Sequence, residues 1–199
     1  MNRYSEMPPV VKNLLIINVL VFMATALLPV GDTIRYYGAL WVGLAPFRSY
    51  QFVTYMFLHG NLEHLFFNMF ALWMFGRTLE WELGSRCFLV YYMVCGVGAA
   101  LIQAAIAWGM GDPMVLVGAS GAVMGLLLAF GVLHPNAMIV LIFPPIPMKA
   151  KWFVIIYGVI ELLLGWRGAG HIAHFAHVGG MLWGLGLLYW WRWRRTIRF

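Results

Sequence analysis

The sequence predicts an all-α fold, a polytopic membrane protein built on six transmembrane helices. Three observations carry that prediction. Hydrophobic residues fill 63% of the 199 positions and charged residues only 10%, whereas a soluble domain covers its surface with about 25% charge. The apolar residues gather into six runs that reach or approach the roughly 20 helical residues a hydrocarbon core requires. The basic residues fall between those runs or at their ends and favour one side.

The first run, 11–28, is too long for the apolar region of a signal peptide and no small-residue cleavage motif follows it, so it is read as a retained span behind a short N-terminus, 1–10. The second covers 62–79 and opens on "HGNLEHLFFN". The third covers 88–108; Cys87 and Cys95 beside and within it fit no disulfide or zinc spacing and are read as packing residues. The fourth (120–133) and fifth (152–164) are short, so neighbouring helices rather than lipid are expected around them. The sixth, 172–191, runs into the basic tail 192–199. Two connections stand out. "GDTIRYYGALWVGLAPFRSYQ" mixes aromatics with Arg35 and Arg48, as suits a membrane interface. "HPNAMIVLIFPPIPMKA" places an apolar stretch before three prolines that forbid a continuing helix, and an interfacial loop is expected. No repeat or low-complexity linker divides the chain, so 1–199 reads as one membrane domain.

With six spans both termini share a side. That side holds Arg3, Lys12, Arg77, Arg86, Lys149, Lys151, Arg192, Arg194, Arg195 and Arg198, against Arg35, Arg48 and Arg167 opposite. The bias places both ends in the cytoplasm. The net charge of +6 is spread between spans rather than gathered on one face, so it serves membrane orientation and not nucleic-acid binding. The lipid bilayer is the expected partner. Glu80, Glu82, Arg77 and Arg86 read as a solvated charge cluster at the cytoplasmic edge.

Polar side chains inside a membrane are costly, and each is a functional candidate. Span two carries His64 and Asn68, four apart and on one helical face, with His59, Asn61 and Glu63 before them. Span four opens on Ser120 within "GASG" (Gly118 to Gly121). Span six holds His171, His174 and His177, with Gly180 and Gly184 near the face of His177. Each has a plain reading as well. Small residues such as Gly118, Ser120, Gly121, Gly180 and Gly184 let helices approach closely, and a membrane histidine can simply bond another helix. A metal site is not expected, because the three histidines spread around span six and no His-Glu-x-x-His pair occurs. No cofactor motif is present. Nucleophilic catalysis is the sharper alternative: histidine is the usual base for a serine, and His64, Asn68 and the Ser120 N–H are suitable oxyanion donors. Span six carries no acid, so a Ser–His pair rather than a triad is expected.

Taken together, "HGNLEHLFFN", "GASG" and "AHVGGMLWG" in that order resemble the rhomboid family of intramembrane serine proteases, over about 46–191. The resemblance implies a rhomboid-like fold, Ser120 as nucleophile, His177 as base, and His64 with Asn68 stabilising the oxyanion. It also implies Gly180 and Gly184 as close-packing glycines. Phe47-Arg48 stands where the family usually has Trp-Arg, and "EWELGS" resembles its turn after span two. Met124 occupies a position where relatives often carry an aromatic against the imidazole. The implied activity is endoproteolysis of transmembrane protein substrates, through a recess open to the outer side. Span five and "GWRGAG" are the candidate gate. The small size implies a bacterial six-span type in an inner membrane. A non-proteolytic relative that escorts membrane proteins is the alternative, though such relatives usually lack the serine or the histidine. A small transporter would show inverted repeats with broken helices, and none is found. Oligomeric state leaves no mark on the sequence.

Overall fold

What starts each helix is written in its flanks. In the computed structural model, which describes residues 6–140, 145–167 and 173–194, α1 (Pro9–Leu27) opens on proline, whose missing N–H costs nothing at a first helical position. Pro8 offers no side-chain cap. The free N–H groups of Val10 and Val11 instead donate to the two Glu80 oxygens, at 2.9 and 2.7 Å, where the helix dipole also favours a carboxylate. Glu80 is 2% exposed and accepts from the Ser85 hydroxyl as well. It is therefore a buried cap, which corrects its reading as a member of a solvated cluster. Of its expected companions, Glu82 pairs with His134 at 2.9 Å and Arg77 lies over the Trp73 ring.

The first connection is ordered. It contains α2 (Gly31–Gly38), β1 (Leu40–Val42), α3 (Gln51–Thr54) and a 3-10 turn, Tyr55–Phe57. Strand β1 pairs antiparallel with β2 (Met114–Leu116), Trp41 facing Val115. Fully buried Gln51 ties the connection together. Its amide donates to the Tyr37 and Pro46 carbonyls at 3.2 and 3.3 Å, and its own oxygen accepts from Arg48 N at 3.1 Å.

Helix α4 (Leu62–Leu83) starts behind Asn61, whose side chain accepts from His64 N at 2.7 Å, a standard use of asparagine as N-cap. Helix α5 (Ser85–Met110) follows after one residue and stops at left-handed Gly111. Next come α6 (Ser120–Leu133), then β3 (Met138–Val140) and β4 (Pro147–Lys149), paired antiparallel with Ile139 opposite Met148. The expected interfacial loop is thus a strand ladder; its residues 141–144 lie outside those described. Helices α7 (Ala150–Trp166) and α8 (His174–Trp193) complete the chain. The loop before α8 and the end of the basic tail, with Arg195 and Arg198, also lie outside the described residues, as does Arg3.

The structure is mostly helical, and six long helices among the described residues coincide with the six apolar runs to within a few residues at each end. By length and hydropathy, Pro9–Leu27 and Ser85–Met110 are able to cross a membrane, while Ser120–Leu133 is apolar but shorter. Helices α5, α6 and α8 pack around one another at the centre, with glycine at each close approach. A Cβ on Gly180 would strike the Gly121 carbonyl, one on Gly125 the Cys95 sulfur, and one on Gly184 the Tyr91 hydroxyl. Cys95 is buried and Cys87 half-buried, both free thiols. Helix α7 sits at the side, burying only Ala150, Val154 and Glu161.

Candidate active site

Helix α6 begins at Ser120, and Gly118 shapes the approach to it. Gly118 has φ +122°, a conformation other residues disfavour. A Cβ there would lie 2.6 Å from His64 Cε1 and 2.7 Å from its Nε2. Gly118 therefore works before the helix, giving room to the His64 ring, rather than within a helix crossing. Its N–H donates to the Tyr55 carbonyl at 2.9 Å, and the Tyr55 hydroxyl to Gly96 O at 2.7 Å. At the first position of α6, the Ser120 N–H is among those with no partner inside the helix.

Helix α8 brings the imidazole. Buried Gln103 of α5 holds its first turn, accepting from Ala176 N at 3.0 Å. One residue on, His177 is 9% exposed and its Nε2 lies 2.9 Å from Ser120 Oγ. Its Nδ1 lies 2.9 Å from Glu161 Oε2. A carboxylate only accepts, so the proton sits on Nδ1 and leaves Nε2 free to accept from the Ser120 hydroxyl. That is the tautomer a general base requires.

No motif marks Glu161, and the absence of an acid in span six predicts a pair without it. The acid comes from α7 instead. Glu161 is the one acidic residue in "AKWFVIIYGVIELLLGW" and is 4% exposed. A charge inside an apolar run is costly without partners, and that rule is the signal by which it is found. Its Oε2 also accepts from His174 Nδ1 at 2.7 Å. His174 and His177, three apart, are neighbours on a helix surface. This corrects the expectation that the histidines of span six diverge, for these two; His171 lies outside the described residues. Metal-ligand atoms of Glu161, His174 and His177 fall within 4.8 Å of one another, and two histidines with a glutamate can hold zinc. In the arrangement seen, both Nδ1 atoms address one carboxylate oxygen at hydrogen-bond length, which accounts for the grouping.

His64 packs against Gly118 and meets His59 edge-on, ring centroids 5.1 Å apart. Asn68 is buried, and its amide donates to the His64 carbonyl at 2.9 Å, which leaves a second amide hydrogen. Met124 is part-buried against the apolar core. Arg48 bonds the Phe47 carbonyl, and the Phe47 ring meets Trp108 edge-on at 6.3 Å.

A family model described as the Rhomboid domain matches residues 46–194. Similar curated proteins include Rhomboid protein 1, mitochondrial, of Saccharomyces cerevisiae, 33% identical over 145 residues, which are 68% of this chain and 39% of that protein. Rhomboid-like protein 11, chloroplastic, of Arabidopsis thaliana is 44% identical over 77 residues, 39% of this chain and 26% of that one. The human presenilin-associated rhomboid-like protein, mitochondrial, is 31% identical over 135 residues, 65% and 34% of the two chains. The chain thus spans well under half the length of these relatives. All three are organellar, which conflicts with the expectation of a bacterial type.

Proposed function

The chain belongs to the rhomboid family of membrane proteins, and from that premise we propose that it is an intramembrane serine endopeptidase. Its substrates are membrane proteins, cut within or near their transmembrane segments. The observation that carries this reading is the 2.9 Å contact between Ser120 Oγ and His177 Nε2, made by two residues 57 apart on different helices. As Oγ attacks the substrate carbonyl carbon, Nε2 takes the hydroxyl proton. The oxyanion is met by the Ser120 N–H, His64 and Asn68, each such donor worth about 3 kcal/mol. His177 then protonates the leaving amine, and a water molecule repeats the sequence to free Ser120.

The six long helices cross the membrane with both ends in the cytoplasm, and the start of α6 opens toward the outer side. The ten-to-three division of basic residues supports this orientation. Substrate helices with small residues at the cut fit best, because a helix hides its carbonyls in its own hydrogen bonds and must unwind before attack.

Labelling of the detergent-solubilised protein by a fluorophosphonate is the direct test. Wild type labels and cleaves a reporter transmembrane substrate; Ser120→Ala and His177→Ala lose both while staying folded. His64→Ala and Asn68→Ala slow cleavage by about ten- to a hundredfold, less than a full oxyanion site is worth. Labelling that survives in Ser120→Ala would falsify the assignment.

A further inference from the structure

We propose that Glu161 is a positioning residue for His177, so that the working unit is Ser120–His177–Glu161 with its acid carried on the lateral helix α7. This deepens the reading of the site as a serine hydrolase and rests on it. Three observations converge. Glu161 Oε2 lies 2.9 Å from His177 Nδ1, on the side of the ring opposite Ser120. The carboxylate is 4% exposed, so water does not compete for it. Its other neighbours, His174 Nδ1 and the Tyr157 hydroxyl one turn back on α7, are both donors. No other group among these takes the acceptor role at Nδ1.

The chemistry follows from where the proton goes. With Nδ1–H held by the carboxylate, the ring is fixed in the tautomer that accepts at Nε2. When Ser120 attacks, its proton passes to Nε2 and a positive imidazolium stands between the new tetrahedral oxyanion and Glu161. The carboxylate stays ionised throughout and stabilises that charge; no proton leaves Nδ1. Replacing the acid by its amide removes the negative charge and allows the wrong tautomer, a change that costs serine proteases about 10⁴ in kcat. His174 shares Oε2, so the charge is divided between two donors. A smaller loss of about 10²–10³ is therefore expected here.

Glu161→Gln, Glu161→Asp and wild type are compared for kcat and KM on the reporter substrate, for fluorophosphonate labelling rate, and for thermal midpoint in detergent. Glu161→Gln, nearly isosteric, loses kcat by that factor with KM within about twofold and the midpoint nearly unchanged. Its labelling slows but does not vanish. Glu161→Asp, which keeps the charge, recovers part of the rate. Wild-type kcat in Glu161→Gln, an Asp variant no faster than the Gln variant, or a change confined to KM overturns the proposal. Should Glu161→Gln fail to fold, the kcat-against-KM split of Glu161→Asp decides in the same way. Activity abolished by a chelator and restored by zinc alone would also overturn it, making the cluster a metal centre. Absence of labelling in wild type is a different result: it would remove the hydrolase reading itself.

Discussion

His59 shows how a single buried side chain couples this fold to pH. It lies in the loop before α4 and is 2% exposed, with the Phe57 backbone and the His64 ring beside it. Burial, with His64 alongside, pushes its imidazole down from an ordinary 6.5 to about 4. The folded protein holds it neutral while the unfolded chain protonates it below 6.5, so the unfolded state binds more protons between those values. Stability is therefore full above pH 6.5 and falls as pH drops toward 4. The thermal midpoint in detergent should decline over that window, and His59→Phe should flatten part of the decline. Equal slopes in the two proteins would exclude His59 as the source. Asp32 and Arg35 line the same cavity and are present in both proteins of that comparison. The pairing of Ser120 with His177, seen as a 2.9 Å contact, was anticipated by the short motifs that flank them. Glu161, Gln103, Gln51 and Glu80 were not, because each is explained by a partner far away in sequence. Only the cost of burying a polar group hints at them beforehand.

Among elements, the crossing of α6 and α8 is where packing and chemistry meet. Gly180→Ala would push a methyl into the Gly121 carbonyl, and overpacking of this kind costs about 1–3 kcal/mol. The α8 backbone must retreat, taking His177 with it. A lowered thermal midpoint and at least a tenfold loss of cleavage are expected. Gly186→Ala on the same helix, where a Cβ meets nothing within 4 Å, should leave both unchanged. The helices themselves were readable from apolar run length, α6 even to its first and last residues. The two strand ladders were not. Three-residue strands such as Leu40–Val42 and Met114–Leu116 are too short to show alternation, and their pairing depends on chain segments 74 residues apart.

At the scale of the whole molecule, the charge bias is the one orienting signal, and the proposed topology follows from it. Single cysteines at Glu6 and Arg194, introduced into a background lacking Cys87 and Cys95, should react with an impermeant thiol reagent from the same face. A cysteine at Tyr37 should react only from the opposite one. Reaction of Glu6 and Arg194 positions from opposite faces would rule out an even number of crossings.

Helix α7 presents most of its surface outward, and besides Ala150 and Val154 near its start its only buried residue is Glu161, toward its far end. Ala150, Val154, Phe153 and Tyr157 hold the helix by apolar packing, and its polar tie to α8 is the same carboxylate that, in the role proposed above, readies the base. If Glu161 plays that role, the coupling is reciprocal: whatever pried α7 aside would disarm His177, and whatever seated His177 would draw α7 back. A substrate admitted past α7 would meet an idle base until the helix returned behind it. Admission and hydrolysis would then run in series, an interlock in which an open door cannot cut.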